Sequence, residues 1–374
     1  MPRKPENIAE VVSNFKCNAD SSWFKTFGSG HINDTFLLKS LSVGGPHYLL
    51  QRINHHIFTR VDQLMHNMHR VITHLKQKVG AAGGNPVTEA LTLIPTHTNQ
   101  YYYQDSTGSY WRMLYFLDGA RSYDIVTTSG QAFEGGRAFG KFQAMLADLP
   151  ANELFEVIPD FHNARHRLSQ LNHAIAKGTP ERLKQVSPEL ELVRHYATEM
   201  QYFQQPGQVA ALPQRVIHND TKFNNVLLNS RDEAQCVIDL ETVMPGYVAY
   251  DFGDAIRTII NKAAEDEADL ENIQLNMPLF EAYTKGYLKE AAGFLTEAEV
   301  LSLTKGVLLL PFLQSVRFLT DHINGDIYYK IHFEGHNLQR ARAQFRLFQL
   351  LHGNADMLHQ IILNEYTKCK GLLR

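Results

Sequence analysis

The chain has 374 residues, 44% of them hydrophobic and 20% charged, which excludes a disordered chain and leaves room for a large core and a smaller one. With 36 basic and 39 acidic residues the net charge is −3, so no global field would attract a nucleic-acid backbone or an anionic membrane. Three scattered cysteines argue against a disulfide framework, and no signal peptide is visible near the N-terminus. We expect a cytoplasmic monomer that binds neither nucleic acid nor membrane.

Residues 1–117 form a predicted β-rich region with one long helix. Strands are predicted at 34–39 and 47–53, on either side of a glycine-proline turn. Between residues 61 and 79, apolar side chains recur at steps of three and four, which predicts a five-turn helix. Three further β-rich runs follow, at 91–94, 101–103 and 110–117. A hairpin is predicted between the last two of them, because the turn residues Asp105-Ser106-Thr107-Gly108 separate them.

From residue 118 onwards the composition becomes helical. Helices are predicted near 132–146 and over 182–204 and 297–321, whereas residues 213–241 contain short β-branched runs separated by polar turns. The sequence therefore predicts an α+β protein with two lobes. A small lobe with an antiparallel sheet and one long helix covers residues 1–117, and a larger, mainly helical lobe covers residues 118–374.

The most informative segment is 216–228, in which apolar residues lead into His218-Asn219-Asp220 and Asn225 precedes a second apolar run. Asp239 follows a further apolar run, so a hairpin would return it beside Asn225. An acid, an amide and a second acid in this order suit phosphoryl transfer. Asp220 would accept the proton of the attacking hydroxyl, and Asn225 and Asp239 would hold Mg²⁺ against the phosphates of ATP.

Lys222 lies two residues after Asp220 and could place its ammonium on the transferring phosphoryl group. The alternative interpretation is that the segment is only a polar turn and that Asp239 ends a strand. A lone His-x-Asp favours that alternative, but the joint pattern of acid, amide and second acid favours a catalytic loop.

These features resemble the kinase-like phosphotransferases, the group that contains aminoglycoside phosphotransferases and choline kinases, and within it the N-acetylhexosamine 1-kinases. The likeness is carried by Gly28-Ser29-Gly30-His31-Ile32-Asn33-Asp34-Thr35-Phe36 and by the segments 51–54, 218–225, 238–242, 250–257, 317–321, 325–328 and 336–342. It implies a protein-kinase-like fold and ATP-dependent phosphorylation of the anomeric hydroxyl of N-acetylglucosamine or N-acetylgalactosamine.

The resemblance also implies further site residues. The loop over the phosphates would contain Gly28, Ser29 and Gly30, and the strand facing the adenine would contain Tyr115 and Leu117. The sugar would be bound by five residues, His31, Asp34, Thr221, Arg317 and Tyr328. The family's third-strand lysine is missing, so Gln51 or Arg52 must take its place, although alternation puts these two side chains on opposite faces of the strand.

Two acidic residues outside the core pattern are given structural roles. Asp251-Phe252-Gly253 spells a kinase metal motif but lacks a preceding apolar strand. We therefore expect Asp251 and Asp254 to hydrogen-bond the catalytic loop, or Asp254 to cap the following helix. Asp321, four residues after Arg317 on a predicted helix, could pair with that arginine.

Two other functions stay open on the sequence alone. The acceptor could be an aminoglycoside, an amino alcohol or another sugar, or the protein could be a catalytically silent nucleotide-binding protein, as the missing lysine suggests. The mixture of Arg, Asp, Asn and Tyr after residue 317 suits a neutral sugar better than a cation.

Overall fold

A computed structural model describes residues 7–28, 32–261 and 263–372. The chain divides into two compact units. The sheet unit comprises residues 1–121, 148–158 and 226–245, and the helical unit comprises residues 122–147, 159–225 and 246–374. The two segments 148–158 and 226–245 thus pack with the sheet, beyond the residue range in which the sequence places the small lobe.

The elements follow one another along the chain from a β-rich half to a helical half. Those before residue 130 are α1 (Ile8–Ser13), β1 (Ala19–Thr26), β2 (Asp34–Ser40), β3 (Tyr48–Ile53), α2 (Val61–Ala81), β4 (Leu93–Ile94), β5 (Tyr103–Gln104), β6 (Tyr110–Tyr115) and the start of α3 (Ser129–Leu146). Those in the middle are α4 (Ala164–Lys177), α5 (Pro180–Gln185), α6 (Ser187–Met200), α7 (Pro206–Val209), β7 (Arg215–Ile217), β8 (Val226–Leu228), β9 (Ala234–Val237) and β10 (Met244–Gly246). The last are α8 (Val248–Ile259), α9 (Met277–Ala291), α10 (Glu297–Ile323), α11 (His336–Gly353) and α12 (Ala355–Leu372).

The sheet unit is built on an antiparallel sheet in the order β1-β2-β3-β6-β4, with β5 also paired to β6. Alternate residues of its strands, such as Phe36, Leu38 and Leu50, are buried in one apolar cluster with Trp111 and Met113. The helix predicted from the periodicity is α2, whose apolar face is buried. The predicted hairpin at 105–108 is also present, since β5 pairs with β6 in antiparallel orientation.

Two elements at the start of the sheet unit are absent from the sequence prediction. Strand β1 is serine-rich and its register is irregular between Ala19 and Phe24, so its burial does not alternate regularly. The preceding helix, α1, has only six residues. Neither segment carries a periodic signal long enough to be recognised.

Close contacts between helices explain several glycines of the helical unit. A Cβ atom on Gly136 would lie 2.1 Å from the carbonyl oxygen of Tyr283, and one on Gly306 would lie 1.9 Å from that of Ala249. At these two positions the backbones of α3 and α9, and of α10 and α8, lie so close together that any side chain larger than hydrogen would clash. The glycines that weaken the helix prediction near residue 136 therefore serve packing.

The long apolar helix α10 is a core element of the helical unit. It is long and apolar enough to cross a membrane, but 83% of its most apolar window is buried inside the protein. Thr296 and Glu299 form a capping box at its start. The helix predicted over 182–204 is divided into α5 and α6 at Val186, just before Pro188, because proline is tolerated in a first helical turn but not in the interior.

The predicted β-hairpin after the catalytic segment is confirmed. Strands β8 and β9 pair antiparallel, with Val226 opposite Val237. Together with the antiparallel sheet and the helical unit, this confirms the predicted α+β fold class.

Candidate active site

The candidate catalytic loop follows β7 in the helical unit and ends in a 3₁₀ turn, Phe223–Asn225. His218 is fully buried, and its ring lies between Phe139 and Phe142 at centroid distances of 5.7 and 5.6 Å. The next residue, Asn219, has a φ of 67°, which is uncommon for a residue other than glycine and turns the chain sharply before Asp220. A buried aromatic packing thus fixes the start of the loop.

Asp251 anchors this loop from α8. Its carboxylate accepts hydrogen bonds from the backbone N–H groups of His218 and Asn219 at 2.8 and 2.7 Å and from the side chain of Gln143 at 2.8 Å. The Thr221 hydroxyl donates to the Asp251 carbonyl. Burial raises the pKa of Asp251, so these donors are what offsets the cost of a buried carboxylate. The supporting role predicted for Asp251 is therefore observed.

Asp254 supports the loop in the same way. Its carboxylate accepts the Thr221 N–H at 3.0 Å and pairs with Arg257 at 2.9 Å. Asp254 lies inside α8, which begins at Val248, so the alternative prediction of a helix cap is wrong. The helix begins six residues earlier, at Val248, and the residues next to Asp254 in the sequence do not reveal this.

Asp220 and Lys222, the two predicted catalytic residues, form an ion pair with an oxygen–nitrogen distance of 2.9 Å. Burial opposes the ionisation of Asp220. The charge and hydrogen bond of Lys222, together with more distant positive charges, outweigh the effect of burial, so the pKa of Asp220 is lowered. The same attraction raises the pKa of Lys222. The carboxylate is therefore ionised at neutral pH and able to accept a proton.

Asn225 is oriented by Asp220. Its amide nitrogen donates to the backbone carbonyl of Asp220 at 2.8 Å and to the carboxylate at 3.3 Å. The amide nitrogen is thus used within the loop, and the amide oxygen is the atom left to bind a cation. Because Mg²⁺ prefers oxygen ligands, this orientation fits the metal role predicted for Asn225.

The second predicted metal ligand, Asp239, belongs to the sheet unit. It follows β9 with a φ of 63° and directly precedes a 3₁₀ turn, Leu240–Thr242. A carboxylate in this sharply turned position suits a hard cation by its chemistry. Its role as the second ligand stays a prediction.

The residues predicted for the nucleotide phosphates are only partly described. Gly28 has a φ of 78°, as the sharp turn after β1 requires. Ser29, Gly30 and His31 lie outside the described residues. Their predicted roles at the phosphates and the sugar therefore stay predictions.

The two substitutes proposed for the missing lysine both have partners within the sheet. Arg52 pairs with Asp34, which lies opposite it in register. Gln51 donates to the Thr35 hydroxyl at 3.1 Å and accepts from Arg112 at 2.8 Å. Asp34, predicted to bind the sugar, is thus the partner of the arginine predicted to bind phosphate.

The sheet unit contains a buried ion pair that sequence reasoning missed. Arg112 and Glu241 are 1% and 4% exposed and lie 2.5 Å apart, and Asn33 also donates to Glu241. Arg112 stands opposite Gln51 in the β3–β6 register. An arginine between Trp111 and Met113 in a strand was the available signal, because a charge in a buried strand needs a partner.

The two residues predicted to face the adenine are half-buried in the sheet unit. Tyr115 packs against Tyr48 with ring centroids 5.5 Å apart. Leu117 follows the end of β6. Both leave apolar surface of the kind that a base would cover, but contact with a nucleotide stays a prediction.

Three residues predicted to bind the acceptor belong to the helical unit. Thr221 is fully buried, and its hydroxyl donates to the backbone carbonyl of Asp251. Its side chain is therefore not available to a substrate, which corrects the prediction that Thr221 binds the sugar. Tyr328 is 62% exposed on the loop after α10. Arg317 is half-buried on α10, with its guanidinium 5.5 and 5.6 Å from the ring centroids of Phe161 and Tyr329.

Asp321 does not pair with Arg317. Within the described parts of the chain, its carboxylate accepts three consecutive backbone N–H groups, those of residues 327, 328 and 329 at 3.0, 2.8 and 2.9 Å, and the amide of Asn337 at 2.9 Å. It therefore shapes the loop that carries Tyr328 and Tyr329. The helical spacing that suggests an ion pair could not reveal this, because the loop returns to α10 only in the folded chain.

The sequence profile of the phosphotransferase enzyme family matches residues 23–288. An aminoglycoside phosphotransferase from Alicyclobacillus acidocaldarius aligns with a TM-score of 0.61 and 13% identity over 96% of this chain and 98% of that one. Amicoumacin kinase in complex with AMP-PNP and Ca²⁺ gives 0.61 and 10% over 93% and 94%. A choline kinase from Cryptosporidium parvum gives 0.52 and 13% over 91% of both chains.

The fold is thus the protein-kinase-like fold of small-molecule phosphotransferases, with a small antiparallel sheet and a larger helical part. The chain belongs to the phosphotransferase enzyme family. Its fold is similar to that of an aminoglycoside phosphotransferase and a choline kinase.

Proposed function

We propose that this protein transfers the γ-phosphoryl group of ATP to the anomeric hydroxyl of an N-acetylhexosamine. The observation that carries the proposal is the catalytic loop of the helical unit, where Asp220 lies 2.9 Å from Lys222 and is held by Asn225. ATP and a divalent cation as cofactors are supported by the nucleotides and Ca²⁺ present in the similar kinases. The three free cysteines suit a reducing cytoplasm.

In this mechanism, Asp220 accepts the proton of the C1 hydroxyl as the hydroxyl oxygen attacks the γ-phosphorus, and the bond from that phosphorus to the β–γ bridging oxygen breaks and releases ADP. Its lowered pKa keeps it ionised and ready for that role. Lys222 stabilises negative charge on the transferring group. Asn225 and Asp239 would hold Mg²⁺, which would neutralise part of the negative charge of ATP.

The charge of the helical unit near the loop supports an uncharged or acidic acceptor. Arg317 and Arg167 both act electrostatically on His162, which also feels the charge of Asp220. Two arginines at that position would repel an ammonium group, whereas arginine hydrogen-bonds readily to hydroxyl, carbonyl and carboxylate oxygens. A sugar with an acetamido group offers such oxygens.

A second candidate is a phosphotransferase for an aminoglycoside, an amino alcohol or another sugar. It is favoured by the structural neighbours, which include an aminoglycoside phosphotransferase, an aminopropanol kinase and a choline kinase. An amine-containing acceptor would need carboxylates close to Asp220. Asp251 and Asp254 are buried and engaged with the loop and with Arg257, which disfavours that acceptor class.

The test is an acceptor panel incubated with Mg-ATP and read by ADP release, with the Asp220→Asn variant as the blank. The panel contains N-acetylglucosamine, N-acetylgalactosamine, neutral hexoses, choline, ethanolamine and an aminoglycoside. Turnover with N-acetylhexosamines and formation of the sugar 1-phosphate would support the proposal. Turnover with amines alone would replace it with the second candidate, and no turnover with any acceptor would favour a silent nucleotide-binding protein.

A further inference from the structure

Two arginines of the helical unit meet beside Phe161. The guanidinium carbon of Arg317, on α10, lies 5.5 Å from the ring centroid of Phe161. Arg167, on α4, donates to the carbonyl oxygen of Phe161 at 3.1 Å. Both positive charges also act on His162, the next residue. The fold thus places two like charges around the same pair of residues.

Neither arginine has a carboxylate partner among the residues that the structure describes. Arg167 donates to the side-chain amide of Gln170 at 2.9 Å and Arg317 to that of Gln314 at 3.2 Å. Burial and the charge of Arg317 lower the pKa of Arg167. Two neighbouring cations that donate only to neutral groups repel each other, and the charge of Asp160, which acts on Arg167, offsets this only in part, since the pKa of Arg167 is still lowered.

The acidic groups that act on Arg167 and Tyr329, namely Asp160 and Glu265, also have other contacts. Asp160 accepts the amide of Asn163 at 2.6 Å and lies 3.6 Å from His166. Glu265 pairs with Arg257 at 2.8 Å. The cluster of Arg167 and Arg317 therefore carries more positive charge than these acidic groups offset.

The same cluster contains buried polar atoms without a hydrogen-bond partner, namely Tyr329 Oη, His162 Nε2 and Arg167 Nε. Burial raises the pKa of Tyr329, and the charges of Arg317 and Arg167 act in the opposite direction, so the hydroxyl lies within reach of both charges. His162 is 9% exposed. Buried donors are nearly always satisfied in native proteins, so the unpaired Tyr329 hydroxyl and Arg167 Nε–H indicate a missing acceptor.

The cluster adjoins the catalytic loop. The ring of His162 hydrogen-bonds to the backbone of Asn219, the residue before Asp220. Burial and the two arginines lower the pKa of His162 to about 3, so the ring is neutral at physiological pH and its single N–H is used in the bond to Asn219. A group bound to the arginines would therefore lie beside the loop that carries the base.

We propose that Arg167, Arg317 and the Tyr329 hydroxyl form an oxyanion-binding site that holds an acidic substituent of the acceptor. The proposal rests on the proposed function and narrows its acceptors to N-acetylhexosamines that also carry a carboxylate or a similar oxyanion. Guanidinium groups bind carboxylate and phosphate through paired hydrogen bonds, which a neutral hydroxyl cannot fully replace.

The first experiment measures binding of inorganic phosphate and sulfate to the full-length protein by calorimetry at constant ionic strength. Three proteins are compared, the wild type, Arg167→Gln and Arg165→Gln. Arg165 lies on the same helix but is exposed, so it is the matched control. We expect the anions to bind the wild type and the control alike and to bind Arg167→Gln at least about tenfold more weakly, the effect of losing one charge-assisted contact.

No binding to the wild type, or equal weakening in both variants, would overturn the oxyanion site. Thermal unfolding of each variant checks that a loss of binding is not a loss of folding. Because this measurement needs neither ATP nor an acceptor, it can succeed even if the proposed sugar-kinase activity fails. Conversely, turnover of an N-acetylhexosamine without anion binding would leave the function standing and remove this site.

The second experiment distinguishes the sources of the oxyanion. Glucuronate and galacturonate are compared with glucose and galactose, and N-acetylglucosamine with its 3-O-carboxymethyl derivative, in binding and in ADP release. Tighter binding or lower KM for the acids, with the preference lost in Arg167→Gln, supports an acidic acceptor. Binding of inorganic phosphate without any preference for the acids would overturn the acceptor assignment and give the site to free phosphate or a phosphorylated product.

Discussion

The two units treat their buried or half-buried arginines differently. In the sheet unit, Arg112 is 1% exposed and meets the carboxylate of Glu241 and the amide oxygen of Gln51. In the helical unit, Arg167 and Arg317 are half-buried, and within the described residues their hydrogen bonds and ring contacts are to amide oxygens, a carbonyl oxygen and aromatic rings, while Asp160 acts on Arg167 through its charge. In the sheet unit a carboxylate of the chain itself neutralises the arginine, whereas in the helical unit the two arginines remain able to bind an anion from solution.

This difference separates a structural charge from a binding charge. A buried arginine with its own carboxylate stabilises one arrangement of the strands, and removing the partner leaves an uncompensated charge. An arginine cluster without a carboxylate contributes little to folding but attracts an anion strongly.

The largest effect on stability is expected from Glu241→Gln, which leaves Arg112 buried without a counter-charge. We expect a loss of about 3–5 kcal/mol in the free energy of unfolding, measured by urea denaturation. The matched control is Glu153→Gln in the same unit, where the pair with Arg70 is 42% and 34% exposed and the loss should be about 0–1 kcal/mol. Equal losses in the two variants would show that the Arg112–Glu241 pair is not structural.

A smaller effect is expected from Asp251→Asn, which removes the charge that accepts two backbone N–H groups of the catalytic loop. The loss should be about 1.5–3 kcal/mol, the usual value of a hydrogen bond to a charged group. Because the same loop carries Asp220, kcat should fall more than ATP affinity. Asp356→Asn, at an exposed position of α12, serves as the control, and a stable, fully active Asp251→Asn would contradict the anchoring role.

Removing the partner of the base should change the pH dependence of the reaction. In the wild type the pKa of Asp220 is lowered, so its contribution to stability is present above the unfolded-state pKa and is lost as the pH falls through the folded value. In Lys222→Met the burial of Asp220 acts without its main counter-charge, and its pKa should rise. The acidic limb of kcat/KM should move to higher pH, and an unchanged profile, as expected for the exposed control Lys285→Met, would contradict the coupling.

The smallest effect on stability is expected from Arg317→Gln. Since Arg317 has no carboxylate partner among the residues that the structure describes, the free energy of unfolding should fall only by about 0.5–1 kcal/mol, the usual value of its ring contacts. Acceptor KM should rise in the same variant. A loss comparable with that of Glu241→Gln would remove the contrast between the two units.

Much of the fold could be predicted because some segments carry a clear period. Helix α2 and strand β3 were predicted from apolar spacing and turn residues, and the β8–β9 hairpin from two short apolar runs. Strand β1 could not be predicted, because its serines and irregular register remove the alternation. A helix or strand can therefore be predicted from the local sequence only where buried and exposed residues alternate regularly along it.

The candidate site was predictable where its residues are close in sequence. Asp220, Lys222 and Asn225 lie within one loop, and the structure brings them into contact. The partners of Arg112 and Asp321 were not predictable, because strand register places Arg112 opposite Gln51 and loop closure brings residues 327–329 back to Asp321. Such contacts depend on the tertiary fold and leave no local pattern.

The measurement that tests the central claim most directly compares wild type and Asp220→Asn in steady-state ADP release with an N-acetylhexosamine and in ATP binding. Loss of a general base should lower kcat by about 10²–10⁴-fold, while the affinity for ATP should stay nearly unchanged. An Asp220→Asn protein that keeps its turnover would contradict the assignment of Asp220 as the base and the mechanism built on it.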